Sequence, residues 1–213
     1  MKNLLIVAIM IVVTTTSCKK DEEKTSSNDI GAQINDFPKE SLNADELASL
    51  KIMREEEKLA HDVYMNLYRK WNTPIFTNIA ASEQTHTNAV LTLLNKYQIT
   101  DPVGNNAEGI FTDTTLQTIY NQLVVKGNSS NLDGFIVGAT VEDLDIFDLN
   151  HWLTKIDNQD LKFVYENLNK GSRNHLRSFY TQILQSGGTY KAQYLTQEQL
   201  EAIINSPKET GSW

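Results

Sequence analysis

Phe76-Thr77-Asn78-Ile79-Ala80-Ala81-Ser82-Glu83-Gln84-Thr85-His86-Thr87-Asn88-Ala89-Val90 is the stretch that decides the fold. At about 100° per residue, Phe76, Ile79, Ala80 and Val90 fall on one apolar stripe of a helix, and Glu83 and His86 fall on the same stripe. Glu83 lies seven residues after Phe76 and seven before Val90, while His86 lies seven after Ile79 and four before Val90. An acid and an imidazole three apart leave one face a turn apart, so both can reach one metal ion. A lone inward histidine is more often a hydrogen-bonded core residue, and its pairing with an inward glutamate shifts that balance.

The pattern returns 59 residues later, where Phe135, Ala139, Glu142, Asp145, Leu149 and Leu153 answer Phe76, Ala80, Glu83, His86, Val90 and Leu94. Glu142 and Asp145 therefore face inward in the same phase, and Asp143 and Asp148 read as surface charges.

Two further long helices flank these. Asn43 with Glu46 makes an N-cap for a helix over 44–71, with apolar residues at Leu47, Leu50, Met53, Leu59, Ala60, Val63 and Leu67. On it Glu56 lies four after Ile52, four before Ala60 and seven before Val63, so it points inward, whereas Glu55 and Glu57 fall about 100° to either side, at or near solvent. Thr73-Pro74 starts the second helix, ending near Tyr97. A long crossover over 98–129 holds a short helix from about Asp113 to Lys126, and a third long helix runs over about 130–155. The fourth covers about 158–186 and stops at Gly187-Gly188. It buries Leu161, Val164, Leu168, Ser172, Leu176, Phe179 and Ile183, and His175, seven after Leu168, joins that side. Glu166 and Asn174 do not. Thr196 with Gln199 matches a capping box for a last short helix. Strand signals are nearly absent, so the fold class is all-α: a ferritin-like up-down four-helix bundle with one long crossover between helices two and three, plus short accessory helices.

The inward polar set is Glu56, Glu83, His86, Glu142, Asp145 and His175. Four carboxylates balance two divalent ions, with one imidazole for each; without metal the same core holds unbalanced negative charge. The expected cofactor is a pair of divalent metal ions, iron first and manganese second. The usual ferritin-like pattern has Glu-x-x-His on two helices and a single Glu on the others, whereas here Asp145 and His175 exchange places between the last two. His61 and His151 fall off the stripes and read as surface residues. Tyr64, Tyr68, Tyr165 and Tyr180 sit at helical spacing, ordinarily a packing role, with electron relay beside a metal as the other reading.

Four strings, in order, carry a resemblance. Arg54-Glu55-Glu56-Glu57-Lys58-Leu59-Ala60-His61-Asp62-Val63-Tyr64, Ala81-Ser82-Glu83-Gln84-Thr85-His86, Val141-Glu142-Asp143-Leu144-Asp145-Ile146 and Gly171-Ser172-Arg173-Asn174-His175-Leu176-Arg177 resemble the motifs of the ferritin-like family catalogued as domain of unknown function 2202. The resemblance covers about 45–186 and implies the fold and superfamily, not a reaction.

The chain has 213 residues and a formal net charge of −8, which opposes nucleic-acid binding. Met1 to Val13 has a short basic start and an apolar run too brief to span a bilayer as an ordinary helix, so 1–17 reads as a signal peptide. Cys18, the only cysteine, follows small residues like those of a relaxed lipobox, although Thr15 departs from the strict pattern, and it reads as a lipidation site; a plain secretory signal with an incidental cysteine is the alternative. The lone cysteine excludes an intrachain disulfide and a rubredoxin-like electron-donor module. The polar stretch 18–40 reads as a lipidated disordered tether, 41–190 as the bundle and 191–213 as an extension with a short helix. The expected setting is an exported bacterial lipoprotein at the outer membrane or cell surface, or in the periplasm if not displayed, touching membrane through its anchor alone and compatible with a homo-oligomer. Three functions stay open: a two-metal oxidoreductase acting on oxygen or peroxide, metal capture or storage without turnover, and a metal-free helical module that binds another protein.

Overall fold

The computed structural model describes residues 29–211, all of whose regular structure is helical: α1 (Ile30–Asp36), α2 (Ala44–Trp71), α3 (Pro74–Tyr97), α4 (Thr114–Gly127), α5 (Asn131–Leu153), α6 (Gln159–Gln185) and α7 (Gln197–Ile204). The signal-peptide and Cys18 readings lie outside the described residues. No helix among the described residues is long and apolar enough to cross a membrane.

The caps read from the sequence are in place. The Asn43 side chain accepts from the Glu46 N–H while Glu46 reaches back to the Asn43 N–H, and Thr196 and Gln199 do the same for α7. Gly187, at φ 75°, takes the left-handed conformation that ends α6.

Residues assigned to the tether form α1. Asp29 caps it through the Gly31 and Ala32 N–H groups, Ile34 is fully buried, and Lys96 donates to the Ile34 and Phe37 carbonyls. One buried side chain and one cap are too short a signal for periodicity to register.

The four long helices share a core: α2 packs on α3 and α5, and α6 packs on α5 and α3. That core is divided in two. One apolar cluster joins Leu59, Val63 and Leu67 of α2 with Phe76, Phe135, Leu176 and Phe179. The other joins Leu50 and Met53 of α2 with Val90, Leu93, Leu149 and Leu168. On α2, α3 and α6 the residues Glu57, Glu83, His86 and His175 occupy the sequence positions between the two halves, while on α5 Glu142 lies within the first, between Val141 and Ile146. Phe76 stacks on Phe135 with ring centroids 5.5 Å apart, so the residues matched by the 59-residue offset meet in space.

A second burial surface separates α2 from the single-stripe expectation. The crossover after α3 folds over its outer face, where Arg54 pairs with Asp101 at 3.0 Å, Glu55 accepts from the Thr112 and Asp113 N–H groups, and Lys58 donates to Asp62 and the Ala107 carbonyl. Glu55 and Lys58 are consequently buried, and Glu57 is buried on the inner face beside His86, contrary to the solvated reading of Glu55 and Glu57. Asp143, expected at the surface, is fully buried because the chain beyond α6 returns onto α5: it accepts from the Tyr190 hydroxyl at 2.7 Å and from the Gln193 and Leu195 N–H groups. Leu47, expected in the stripe, is 40% exposed.

Candidate metal centre

The buried acids fall into two groups according to what faces their oxygens. Glu46, Glu55, Asp62 and Asp143 accept backbone N–H groups, the ordinary way to keep a carboxylate below the surface. Glu56, Glu57, Glu83, Glu142 and Asp145 accept none and face one another, two imidazoles and two hydroxyls.

Glu83 is the pivot. Its Oε2 lies 2.7 Å from His86 Nδ1, and its Oε1 lies 2.7 Å from His175 Nδ1. Glu57 Oε2 approaches His86 Nδ1 at 3.3 Å, and Glu142 Oε2 approaches His175 Nδ1 at 3.5 Å. One ligand atom each from Glu57, Glu83 and His86 lie within 4.8 Å of one another, as do one each from Glu83, Glu142 and His175. The two triads share Glu83. The imidazole rings face each other with centroids 5.6 Å apart and an interplanar angle of 26°.

Despite the short distance, Glu83 Oε1 and His175 Nδ1 fall outside ordinary hydrogen-bond geometry. Donor atoms set this close together could hold a metal ion. Glu57 Oε1 and Asp145 Oδ1 are likewise buried without a hydrogen-bond partner.

Other side chains fix the outer atoms. The Tyr64 hydroxyl donates to Glu142 Oε1 and the Ser172 hydroxyl to Asp145 Oδ2, leaving Glu142 Oε2 and Asp145 Oδ1 turned inward. Gly171 lets α6 approach the His86 ring, since a Cβ there would sit 2.6 Å from His86 Cε1. Between α3 and α6 a cleft of about 310 Å³ reaches both imidazoles, past Ser82, Asn174 and Glu209. Arg173 and Arg177 hold Glu209 at that rim.

The electrostatics follow from burial. An unpaired buried carboxylate costs several kcal/mol, so a handful would cancel the roughly 5–15 kcal/mol that keeps a domain folded. Protons or cations must compensate. Burial drives the Glu56 and Asp145 carboxyls well above their usual range, with Asp148 adding to the effect on Glu56 and Glu57 to that on Asp145. Burial likewise pushes Glu57 up to about 7. Burial opposes ionisation of Glu83 too, but the imidazoles of His86 and His175 outweigh it and hold that carboxyl low.

Of the six residues read from the sequence, the structure brings Glu83, His86, Glu142 and His175 together and places Asp145 alongside. Glu56 belongs to neither triad, and the charge that weighs most on it is that of Asp148; Glu57 stands in its place. The signal for Glu57 was present: it lies seven after Leu50, four after Met53 and seven before Tyr64, all fully buried. Weighting Ile52, which is only half-buried, selected Glu56 instead. Of the expected surface histidines, His151 is exposed and His61 is half-buried, its Nδ1 2.9 Å from Asp62.

Residues 46–207 match the family described as Uncharacterized protein domain (DUF2202). Uncharacterized protein MJ0754 of Methanocaldococcus jannaschii is 52% identical over 178 residues, which span 84% of this chain and 96% of that protein. The crystal structure of hypothetical protein MJ0754 from the same organism is similar with a TM-score of 0.80 at 52% identity, covering 81% of this chain and 99% of that one.

Proposed function

This chain belongs to the uncharacterized protein domain family DUF2202, and we propose that it is a ferritin-like metalloprotein in which two triads sharing Glu83 would hold two divalent ions, iron or manganese, which would supply chemistry on oxygen or peroxide. The observation that carries this reading is the pair of carboxylate–imidazole triads sharing Glu83, inside a core that offers these acids no backbone donor.

Glu57 and His86 hold one ion, Glu142 and His175 the other, and Asp145 supplies the fourth negative charge, so four carboxylates balance two divalent cations. Mixed imidazole and carboxylate donors suit iron and manganese. Bound there, such a pair supplies one-electron chemistry that protein side chains lack. The chain provides the rest. Tyr64 and Ser172 orient Glu142 and Asp145 through their hydroxyls, and the apolar clusters on both sides keep bulk water out. The cleft between α3 and α6 gives a small molecule a path to the two imidazoles. Four long helices with short links, except for a long one carrying α4 between α3 and α5, support the ferritin-like bundle.

Anaerobic loading with Fe²⁺ tests the reading: about two ions per chain and consumption of added oxygen or peroxide are expected, and fewer than one ion per chain overturns it. Two ions without consumption would assign the protein to metal capture or storage. A melting temperature indifferent to metal in both the natural chain and Glu83→Ala would leave a helical interaction module.

The proposed setting is outside the cytoplasm, anchored by lipid on Cys18, on the support of the apolar N-terminal run and the small residues before that cysteine. Incorporation of labelled palmitate that disappears in Cys18→Ala is the expected result, and no incorporation into the natural chain refutes it.

A further inference from the structure

Glu56 is 3% exposed, and neither of its carboxylate oxygens has a hydrogen-bond donor. The charges that bear on it are, in decreasing order, those of Asp148, Asp145 and Glu57. A glutamate buried for structural reasons on this same helix does better: Glu46 and Glu55 each accept two or more backbone N–H groups. Glu56 is therefore buried without structural satisfaction, and its carboxylate is aimed at another carboxylate. Two acids in contact persist only with a proton or a cation between them.

The position of Asp148 favours the cation. It is three residues after Asp145 on α5 and only partly buried, so it links Glu56 to solvent. Around it stand His151, which is exposed, and Tyr194, which is 39% exposed and lies near enough to feel both Asp148 and Glu56. No lysine or arginine is among the groups acting on either carboxylate. Asp148 is thus the partly exposed end of the pair and Glu56 the buried end.

We propose that Glu56 and Asp148 hold a third divalent cation, at a site of oxygen ligands separate from the centre around Glu83. Two carboxylates match the charge of one divalent ion, and water completes the shell on the Asp148 side. Its two carboxylates favour hard ions such as Mn²⁺ or Ca²⁺, and the exposed His151 imidazole beside Asp148 adds a nitrogen donor that Mn²⁺ accepts more readily than Ca²⁺ does. Consecutive residues of α2 then serve different ions, because a step of about 100° turns Glu57 toward α3 and Glu56 toward α5.

The site does not rest on the two-metal reading, and equilibrium dialysis of the full chain against Mn²⁺ separates the two. Three bound ions per chain are expected in the natural protein, two in Glu56→Gln and in Asp148→Asn, and one in Glu83→Gln. Each variant's fold is checked by melting without metal, where replacing an unpaired buried acid by its neutral amide leaves stability equal or raised. Full natural binding in both Glu56→Gln and Asp148→Asn overturns the site. Loss of every ion in a folded Glu56→Gln also overturns it, because Glu56 would then belong to the centre. If Glu83→Gln binds as the natural chain does while Glu56→Gln binds one ion fewer, the third site stands and the two-metal centre falls.

Discussion

Glu56 and Glu57 are consecutive on α2, yet they keep different company: Glu57 approaches His86 at 3.3 Å, whereas Glu56 faces Asp148. That division sets which substitutions affect which ion.

Glu57→Gln removes a carboxylate from one triad and leaves the other whole. Metal analysis after Mn²⁺ loading is expected to give one ion fewer than the natural chain, with the ion beside Glu142 and His175 retained. Unchanged content would mean that Glu57 is not a ligand.

Gly171→Ala tests the close approach of α6 to His86. Helix propensity alone predicts a gain of about 1 kcal/mol. A Cβ only 2.6 Å from His86 Cε1 should reverse the sign, costing about 1–3 kcal/mol and weakening one ion by tenfold or more. Thermal denaturation and metal titration read both effects, and a more stable variant with natural affinity would contradict the placement of the ring.

The metal-free protein is expected to lose stability as pH rises. Burial pushes Glu57 from 4.5 up to about 7. Burial alone lowers the His175 imidazole, but Glu83 and Glu142 outweigh it and push that group from 6.5 up to about 10. In both windows the folded state holds protons that the unfolded chain has released, so stability falls with pH from about 4.5 to about 10. A drop in melting temperature of at least about 5 °C between pH 5 and 9 follows. Saturating Mn²⁺ should reverse the slope, since the ligands must be deprotonated to bind. A metal-free melting temperature that rises with pH would refute the assignment.

Asp143→Ala addresses an acid of the other kind. It strands the Tyr190 hydroxyl and the Gln193 and Leu195 N–H groups, and is expected to cost about 3 kcal/mol or more. Bound metal should stay at the natural level, and loss of metal in a folded variant would place Asp143 in the centre.

These contrasts mark what periodicity could read. The boundaries of the four long helices, both capping boxes and the 59-residue echo from Phe76 to Phe135 were legible because each is local or repeats at helical spacing. Glu55 and Asp143 were misplaced at solvent because a stripe assumes one buried face, while the crossover and the returning C-terminal segment bury another. The choice of Glu56 over Glu57 turned on one half-buried isoleucine, Ile52. No spacing rule could have found the sharing of Glu83 by two imidazoles, which depends on how α3 and α6 are set side by side.

The most direct measurement is an anomalous-scattering map from crystals of the protein loaded with manganese. Two peaks flanking the Glu83 carboxylate are predicted, about 3.5–4 Å apart, one beside His86 and Glu57 and the other beside His175 and Glu142. A map without density between these residues, in crystals whose metal content is otherwise proven, would contradict the account.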